Sequence, residues 1–432
     1  MNKLILKNYI ANFFFILAPV TFIVGNASIN IFFLLSFLLL SVFYEDLILF
    51  YKKNRNCIIA SIIFVLLYYL LFFYFKEFNN YKIFSVLKFF CLFLTISIYL
   101  NYSNIDLISK AWLIILSLVL IDTFYQYFNG VDFFGFKSQL LNISFCNNDN
   151  INFKNIFIST TNDLVIFDNC PIYKRTLRLS GPFGNEYVVG GFLVNFSLLA
   201  IFFSKFLSNK LKFFYLLIVF ILIVLSGERM SALLYLLGIM LIGIVYFRKK
   251  IVTLFIFAAC FFTLSFSLVS FDKRLSLRAA ETMSIVKNFK SDDNPYFALF
   301  FNSITIFEKN VFLGSGPRSF RDECLKITNK TILTCRNHPH NFYFEIVSEM
   351  GIYGLFFFIF ILWKILHNSF KLLKSNNNNI TLINFVSIMI LIFPLKTSGA
   401  IFSTFYGNYF WFFLFFSYLF SNCRIDKKKT DS

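Results

Sequence analysis

Charge is scarce in this sequence. Only 14% of its 432 residues are Asp, Glu, Lys or Arg, against 58% hydrophobic, and the mean hydropathy is +0.72. A soluble domain of that length needs far more polar surface, so a polytopic membrane protein is expected instead. Histidine is scarcer still, with three in all, and no zinc-type spacing occurs. A Walker A segment, a Gly-rich nucleotide loop and an aromatic-basic RNA motif are also absent, which leaves no recognisable nucleotide or nucleic-acid site and no soluble catalytic domain. Acidic residues are outnumbered 22 to 40, for a net charge of +18. In a membrane protein that excess belongs to cytoplasmic loops rather than to a nucleic-acid surface.

What is present is a series of apolar runs. With about 20 residues needed per span, they predict about twelve helices, near 9–26, 29–45, 57–75, 82–100, 107–128, 187–205, 212–227, 230–247, 251–271, 341–366, 380–397 and 403–421. The first follows a basic opening, Met1 to Lys7, without a small-residue cleavage site, and is read as a retained helix. The 67 phenylalanines are read as lipid-facing. The expected organisation is helices 1–5 over 1–128, a long loop 129–186, helices 6–9 over 187–271, a second long loop 272–340, helices 10–12 over 341–421, and a basic tail 422–432. Long loops of this kind tend to be functional.

Five short basic stretches set the orientation: "YKKNRN" (51–56), "SKFLSNKLK" (204–212), "FRKK" (247–250), "KLLKSNNNN" (371–379) and "RIDKKKTDS" (424–432). All fall on one side if the termini are cytoplasmic and the span count is even. "KEFNNYK" (76–82) is the exception, outside with two lysines. Both long loops then face outward, where Cys324 with Cys335, and Cys146 with Cys170, can each form a disulfide or remain thiols. Cys57, Cys91 and Cys260 read as buried thiols within helices.

Three polar clusters fall at the same outer rim. The first is "KRTLRLSGPFGNE" (174–186), with Arg178, Ser180 and Gly181 ahead of the sixth helix; Gly-Pro followed by Gly-Asn builds a sharp turn. The second is "LSGERMSALL" (225–234), where Glu228 and Arg229 sit between two apolar runs, a costly place for ionisable groups unless they face a protein interior. The third is "CRNHPHNFYFEIVSEMGIYGL" (335–355). There His338, His340 and Asn341 precede a helix whose start favours an anion. Glu345 and Glu349 share a face, and Gly351 and Gly354 permit a close neighbour. The bland alternatives are headgroup-touching arginines, a plain Glu–Arg ion pair and an interfacial histidine anchor.

Chemically, arginines hold phosphate bidentately, and two can hold a diphosphate leaving group. A histidine with an ordinary pKa of ~6.5 can take a proton from a sugar hydroxyl. Together they fit glycan transfer from a lipid diphosphate to a hydroxyl at the outer leaflet, with no cofactor and no metal.

These residues resemble the O-antigen ligase and polymerase superfamily. "RLSGPFGNE" is similar to its Arg-x-Ser/Thr-Gly segment and "SGERMSALL" to its Ser/Gly-x-Arg turn. "HNFYFEIVSEMGIYG" fits the ligase spacing of His-Asn, nine residues, Gly, two residues, Gly. "GSGPRSF" (314–320) is similar to a Gly-x-Gly-x-x-x-Phe segment ahead of the histidine. The resemblance covers roughly 175–365 and implies an all-α, GT-C-like membrane glycosyltransferase of the bacterial inner membrane, with its active site in the periplasm. The implied donor is an undecaprenyl-diphosphate-linked glycan and the implied acceptor is lipid A–core, with inversion at the anomeric carbon. By position, His340 is the implied base, and Arg178 and Arg229 the implied diphosphate ligands. Arg318, Arg321 and Arg336 are outer-loop cations that can guide the donor; His338, Asn341, Glu345, Ser180, Gly181 and Glu228 complete the expected substrate-binding set. The alternatives are a repeat-unit polymerase with the same donor and a lipid-linked sugar transporter or flippase. The absence of visible repeats and the one-rim placement of charge argue against transport.

Overall fold

The structure, a computed structural model, describes residues 3–75, 87–137, 139–144, 172–184, 186–246, 251–287, 294–327, 335–376 and 379–430. Cys146, Cys170, the stretch "KEFNNYK" and the stretch "FRKK" lie outside them. Each of the twelve predicted stretches coincides with a helix: α1 (Lys3–Val24), α2 (Asn26–Leu38), α3 (Tyr44–Phe75), α4 (Leu87–Tyr99), α5 (Ile105–Asn129), α6 (Val189–Phe203), α7 (Asn209–Leu225), α8 (Arg229–Tyr246) and α9 (Ile251–Phe271), then α13 (Phe342–Asn376), α14 (Asn379–Leu391) and α15 (Phe405–Thr430). Five apolar stretches among the described residues are long enough to cross a membrane: Lys3–Val24, Asn26–Lys53, Ile105–Asn129, Arg229–Tyr246 and Phe342–Ser375. The protein is a helical membrane protein.

Three features depart from the expectations. The first long loop contributes an antiparallel ribbon, β1 (Gln139–Ser144) with β2 (Ile172–Arg178), in which Gln139 pairs with Arg178. The second contains three helices, α10 (Lys273–Lys287), α11 (Pro295–Lys309) and α12 (Phe320–Ile327). These are short or polar, so an apolar-run criterion passes over them. α11 nevertheless has a strong start signal: Asn294 caps the amides of Tyr296 and Phe297 at 3.0 and 3.3 Å, with Pro295 in the first turn. Lastly, α14 stops at Leu391 rather than near 397, because Pro394 has no N–H and disfavours helix in the residue before it.

The chain divides into two compact units, residues 1–109 with 285–432, and residues 110–284. In the first, α1, α2 and α15 share an aromatic core. Phe14 stacks on Phe32 at 5.5 Å, and Phe22 meets Phe412 edge-on at 6.0 Å. Phe14, Phe22, Phe412 and Phe413 are fully buried. These phenylalanines therefore pack against one another, correcting the lipid-facing reading; Phe13 and Phe356, by contrast, are exposed. Lipid tails are as apolar as the rings, so dispersion and ring geometry hold this core, not exclusion from water. In the second unit, Trp112 rests on Phe196 at 5.5 Å, and Phe261 meets Phe220 edge-on at 5.2 Å.

Candidate functional site

The candidate residues fall into two clusters, one in each unit. In the first unit the chain enters α13 through His340, whose φ of +59° is left-handed. That conformation costs a non-glycine residue about 1–3 kcal/mol and is retained only where surrounding contacts fix it. The contacts are visible on both sides. Asn341 caps α13, its Oδ1 accepting from Tyr343 N at 2.9 Å and Phe344 N at 3.4 Å. Its Nδ2 donates to the Pro394 carbonyl at 2.7 Å, and the Ser398 amide donates to the His340 carbonyl at 2.8 Å. The early end of α14 thus leaves an irregular strap, 392–404, that holds the histidines in place.

The two rings lie 4.4 Å apart in a T-shape, with Tyr296 of α11 6.3 Å from His340 on another side. Burial pushes His338 down to about 4, despite a backbone hydrogen bond to Ser398, and the nearby Arg336 charge adds to the shift. It is therefore neutral at pH 7. Its Nε2 is buried without a hydrogen-bond partner. Arg321 Nη1 donates to Asn337 Oδ1 at 2.9 Å, bracing the segment, while Arg336 is exposed.

The "GSGPRSF" segment meets the same helix. α13 is broken at Gly351 (φ +62°), where the Ile352 and Tyr353 amides donate to Val311 and Phe312. Ser315 N and Gly316 N donate in turn to Ser348 and Glu349 carbonyls at 3.0 and 2.7 Å. A Cβ on Gly351 would lie 2.5 Å from the Phe312 carbonyl oxygen, and one on Gly314 2.4 Å from the Glu349 carbonyl carbon. The close neighbour expected at the glycines is this loop rather than a second helix; at Gly354 it is Met350 of the same helix. Glu349, 1% exposed, accepts from Arg318 N at 2.6 Å and Phe320 N at 3.1 Å. Arg318 is consequently held with a left-handed φ of +61°. Its charge acts on Glu345 and on Lys88, whose Nζ donates to the Ser403 carbonyl at 3.2 Å. Glu345 Oε2 accepts from Ile401 N at 2.9 Å, whereas its buried Oε1 has no partner.

In the second unit, Ser180 and Gly181 are tied down by Gln126 of α5. Its Oε1 accepts both amides at 2.9 Å and its Nε2 donates to Ser180 Oγ at 3.0 Å. Leu179 N donates to the Ser226 carbonyl at 3.2 Å. This places Arg178, the last residue of β2, beside the 226–229 turn. The buried Nε of Arg178 has no partner. Glu228 caps α6 from outside that helix, accepting from Gly190 N at 2.7 Å, Gly191 N at 3.0 Å and Ser231 Oγ at 3.0 Å. Burial raises its carboxyl, opposed by the Gly190 amide, the Ser231 hydroxyl and the Arg178 charge. Arg229 Nη1 donates to the Arg278 carbonyl at 3.0 Å and Thr282 Oγ1 at 2.7 Å, and Arg278 Nη2 reaches the Gly227 carbonyl at 3.2 Å.

The second unit therefore brings Arg178, Ser180, Gly181, Glu228 and Arg229 to one turn, and the first brings His338, His340, Asn341, Glu345 and Arg318 to the start of α13. Within these clusters Asn341, Ser180, Gly181 and Glu228 already use their polar atoms on the fold. Sequence reading passed over Gln126, Lys88 and Arg278. A lone Gln or Lys inside an apolar run was the available signal for the first two. Arg278 lies on a polar helix whose position only the fold defines.

Among the described residues, Cys324 and Cys335 form a disulfide with Cα atoms 5.6 Å apart, buried with Leu299, Ile306 and Phe320. Cys91 is a free, half-buried thiol and Cys260 a free, exposed one, so the buried reading of Cys260 is corrected. No group of three or more His, Cys, Asp or Glu among the described residues is arranged to hold a metal.

No curated protein matches the chain. The sequence model of the O-antigen ligase family matches residues 214–359, about a third of the chain. The matched segment contains the Glu228–Arg229 turn, Arg278, the "GSGPRSF" loop, both clustered histidines and the Gly351 break in α13. Over that segment the chain is similar to the O-antigen ligase family.

Proposed function

We propose that the protein transfers a glycan from an undecaprenyl-diphosphate carrier to a hydroxyl of lipid A–core at the periplasmic face of the inner membrane, inverting the anomeric centre. The observation that carries this reading is the pair of contiguous imidazoles at the start of α13, inside the ligase-matched segment. A neutral imidazole beside a helix entry is suited to accept a hydroxyl proton. In the other unit, Arg178 and Arg229 supply the charge that a departing diphosphate requires, and fixed guanidinium groups stabilise it without reorganising. The roles follow: His340 orients or deprotonates the acceptor, Arg178 and Arg229 bind the diphosphate, and Arg318, Arg321 and Arg336 guide the donor. Transfer of this kind draws on the sugar–diphosphate bond and involves no metal step.

Twelve spans with cytoplasmic termini and outward loops at 129–186 and 272–340 belong to the same reading. The Cys324–Cys335 disulfide supports it, since such bonds persist in oxidising compartments. Deleting the gene tests the activity: long glycan disappears from lipid A–core while lipid-linked polymer accumulates. Persistence of single-unit decoration would instead indicate a repeat-unit polymerase. His340→Ala abolishes transfer with the protein still in the membrane, and Arg178→Lys or Arg229→Lys only partly rescues, because Lys lacks the bidentate fork. A fully active His340→Ala protein removes that residue from the mechanism.

A further inference from the structure

A charged patch lies apart from both clusters, at the end of the second unit where α6 gives way to α7. Between Glu186 and Glu228 the chain has no acidic residue, while the turn after α6 and the start of α7 carry Lys205, Lys210 and Lys212. Serines build the turn: Ser204 Oγ accepts from Phe206 N at 3.2 Å, and Ser208 Oγ caps α7 through Leu211 N at 3.4 Å. The Phe206 ring is left exposed, and α5 sends Lys110 to it, with Nζ 4.1 Å from the ring centroid. Lys212 Nζ lies 6.0 Å from the Phe202 centroid. A ring face attracts a cation without cancelling its charge. Neither ammonium forms an ion pair with a carboxylate among the described residues.

Lys110 also stands on an unusual face for a charge. Leu107, Ile114, Leu118 and Ile121 of α5 are all exposed. With Lys110, itself exposed, they recur every three or four residues and so share one face of the helix. α5 is long and apolar enough to cross a membrane, so this exposed stripe is its lipid-facing side. Lys110 lies about 8 Å along the axis from Ile105, too deep for an ammonium unless the side chain runs back to the interface. The Phe206 contact shows where it ends: at the level of the turn, where headgroup phosphates lie.

We propose that Lys110 and Lys212 bind the phosphate of an anionic phospholipid at this end of the second unit, with an acyl chain along Ile114 and Leu118. A zwitterionic headgroup brings its own cation beside the lysines; a net negative one supplies the countercharge that the protein withholds. The lipid is a bound component of the fold rather than a substrate, so the proposal stands apart from the glycan-transfer reading.

The test titrates the full-length protein in a non-ionic detergent with phosphatidylglycerol, phosphatidylcholine or inorganic phosphate, and reads bound lipid by native mass spectrometry. Each lysine near a membrane surface contributes about fivefold in affinity, so phosphatidylglycerol should bind about 25-fold more tightly than phosphatidylcholine. Lys110→Gln and Lys212→Gln should each lower phosphatidylglycerol affinity about fivefold and leave phosphatidylcholine binding unchanged, whereas Lys110→Arg should behave as wild type. Phosphatidylcholine bound as tightly, or phosphatidylglycerol affinity unmoved in the double variant, overturns the proposal. Inorganic phosphate binding as tightly as phosphatidylglycerol also overturns it, since the site would then take an anion and no lipid. If the variants do not fold, the wild type decides: its phosphatidylglycerol affinity should fall as salt rises, and salt-independent retention overturns the assignment. None of these outcomes bears on glycan transfer, which is assayed separately.

Discussion

The two clusters hold their functional side chains by opposite means. At the 226–229 turn in the second unit, the fold brings carboxyl and amide groups to backbone N–H donors: Gln126 clamps Ser180 and Gly181, and Glu228 caps α6 through Gly190 and Gly191. The backbone is satisfied, and the arginines extend from a hydrogen-bonded scaffold. At the start of α13 in the first unit, two non-glycine residues, Arg318 and His340, take left-handed backbone, and Nε2 of His338 and Oε1 of Glu345 stay buried without partners. Left-handed strain at non-glycine residues falls there, whereas both clusters hold buried polar atoms without partners, Nε of Arg178 and of Arg278 being those at the 226–229 turn. Proteins retain such cost chiefly at functional sites. On the proposed reading, proton handling falls in the strained cluster and diphosphate binding at the 226–229 turn.

Substitutions at three positions would break or sharpen this contrast. The largest effect is expected from Gly351→Ala. Its Cβ would lie 2.5 Å from the Phe312 carbonyl oxygen with a left-handed φ, so stability should fall by roughly 3 kcal/mol or more. Transfer should be lost with it, although residue 351 itself carries no reactive group. Thermal unfolding in nanodiscs measures this, and an unchanged midpoint would mean the loop 311–316 does not pack on α13 as described.

Next is Glu228. Glu228→Ala leaves two buried amides at the start of α6 unsatisfied and should cost about 2–4 kcal/mol. Glu228→Gln keeps one acceptor oxygen and should cost roughly half as much. Equal losses for the two variants would show that charge, not amide capping, is what Glu228 provides. The smallest effect, and one of opposite sign, is expected from His340→Gly. Glycine adopts a φ of +59° without steric penalty, so stability should hold or rise by up to ~1 kcal/mol while transfer collapses. A clear loss of stability would instead mean that the His340 ring contacts outweigh its backbone strain.

Much of the fold was legible in the sequence, because a bilayer-spanning helix needs one long apolar run and nothing else. Each of the twelve runs overlaps a helix, and five apolar stretches among the described residues are long enough to cross a membrane. The segment 272–340 was not legible, since α10, α11 and α12 are stabilised by packing and caps rather than by length. Nor was the aromatic core of α1 and α15: a phenylalanine facing a neighbour and one facing lipid read alike. The site was legible as residue types at helix starts. The sequence could not show that Asn341 and Glu228 serve the backbone, or that Gln126 and Ser398 hold the two clusters, because each of these contacts spans dozens of residues.

By itself, then, the sequence determined the membrane class, the helix series and the three polar clusters of candidate residues, because these follow from hydropathy and local spacing. Tertiary structure decided which polar atoms are already used and which are bare. Pro394 ends α14 early, the strap that follows returns across the start of α13, and its Ser398 amide holds the strained turn at His340. A lone pair becomes available to a substrate only when the rest of the fold leaves it unpaired, and no local pattern of residues encodes that.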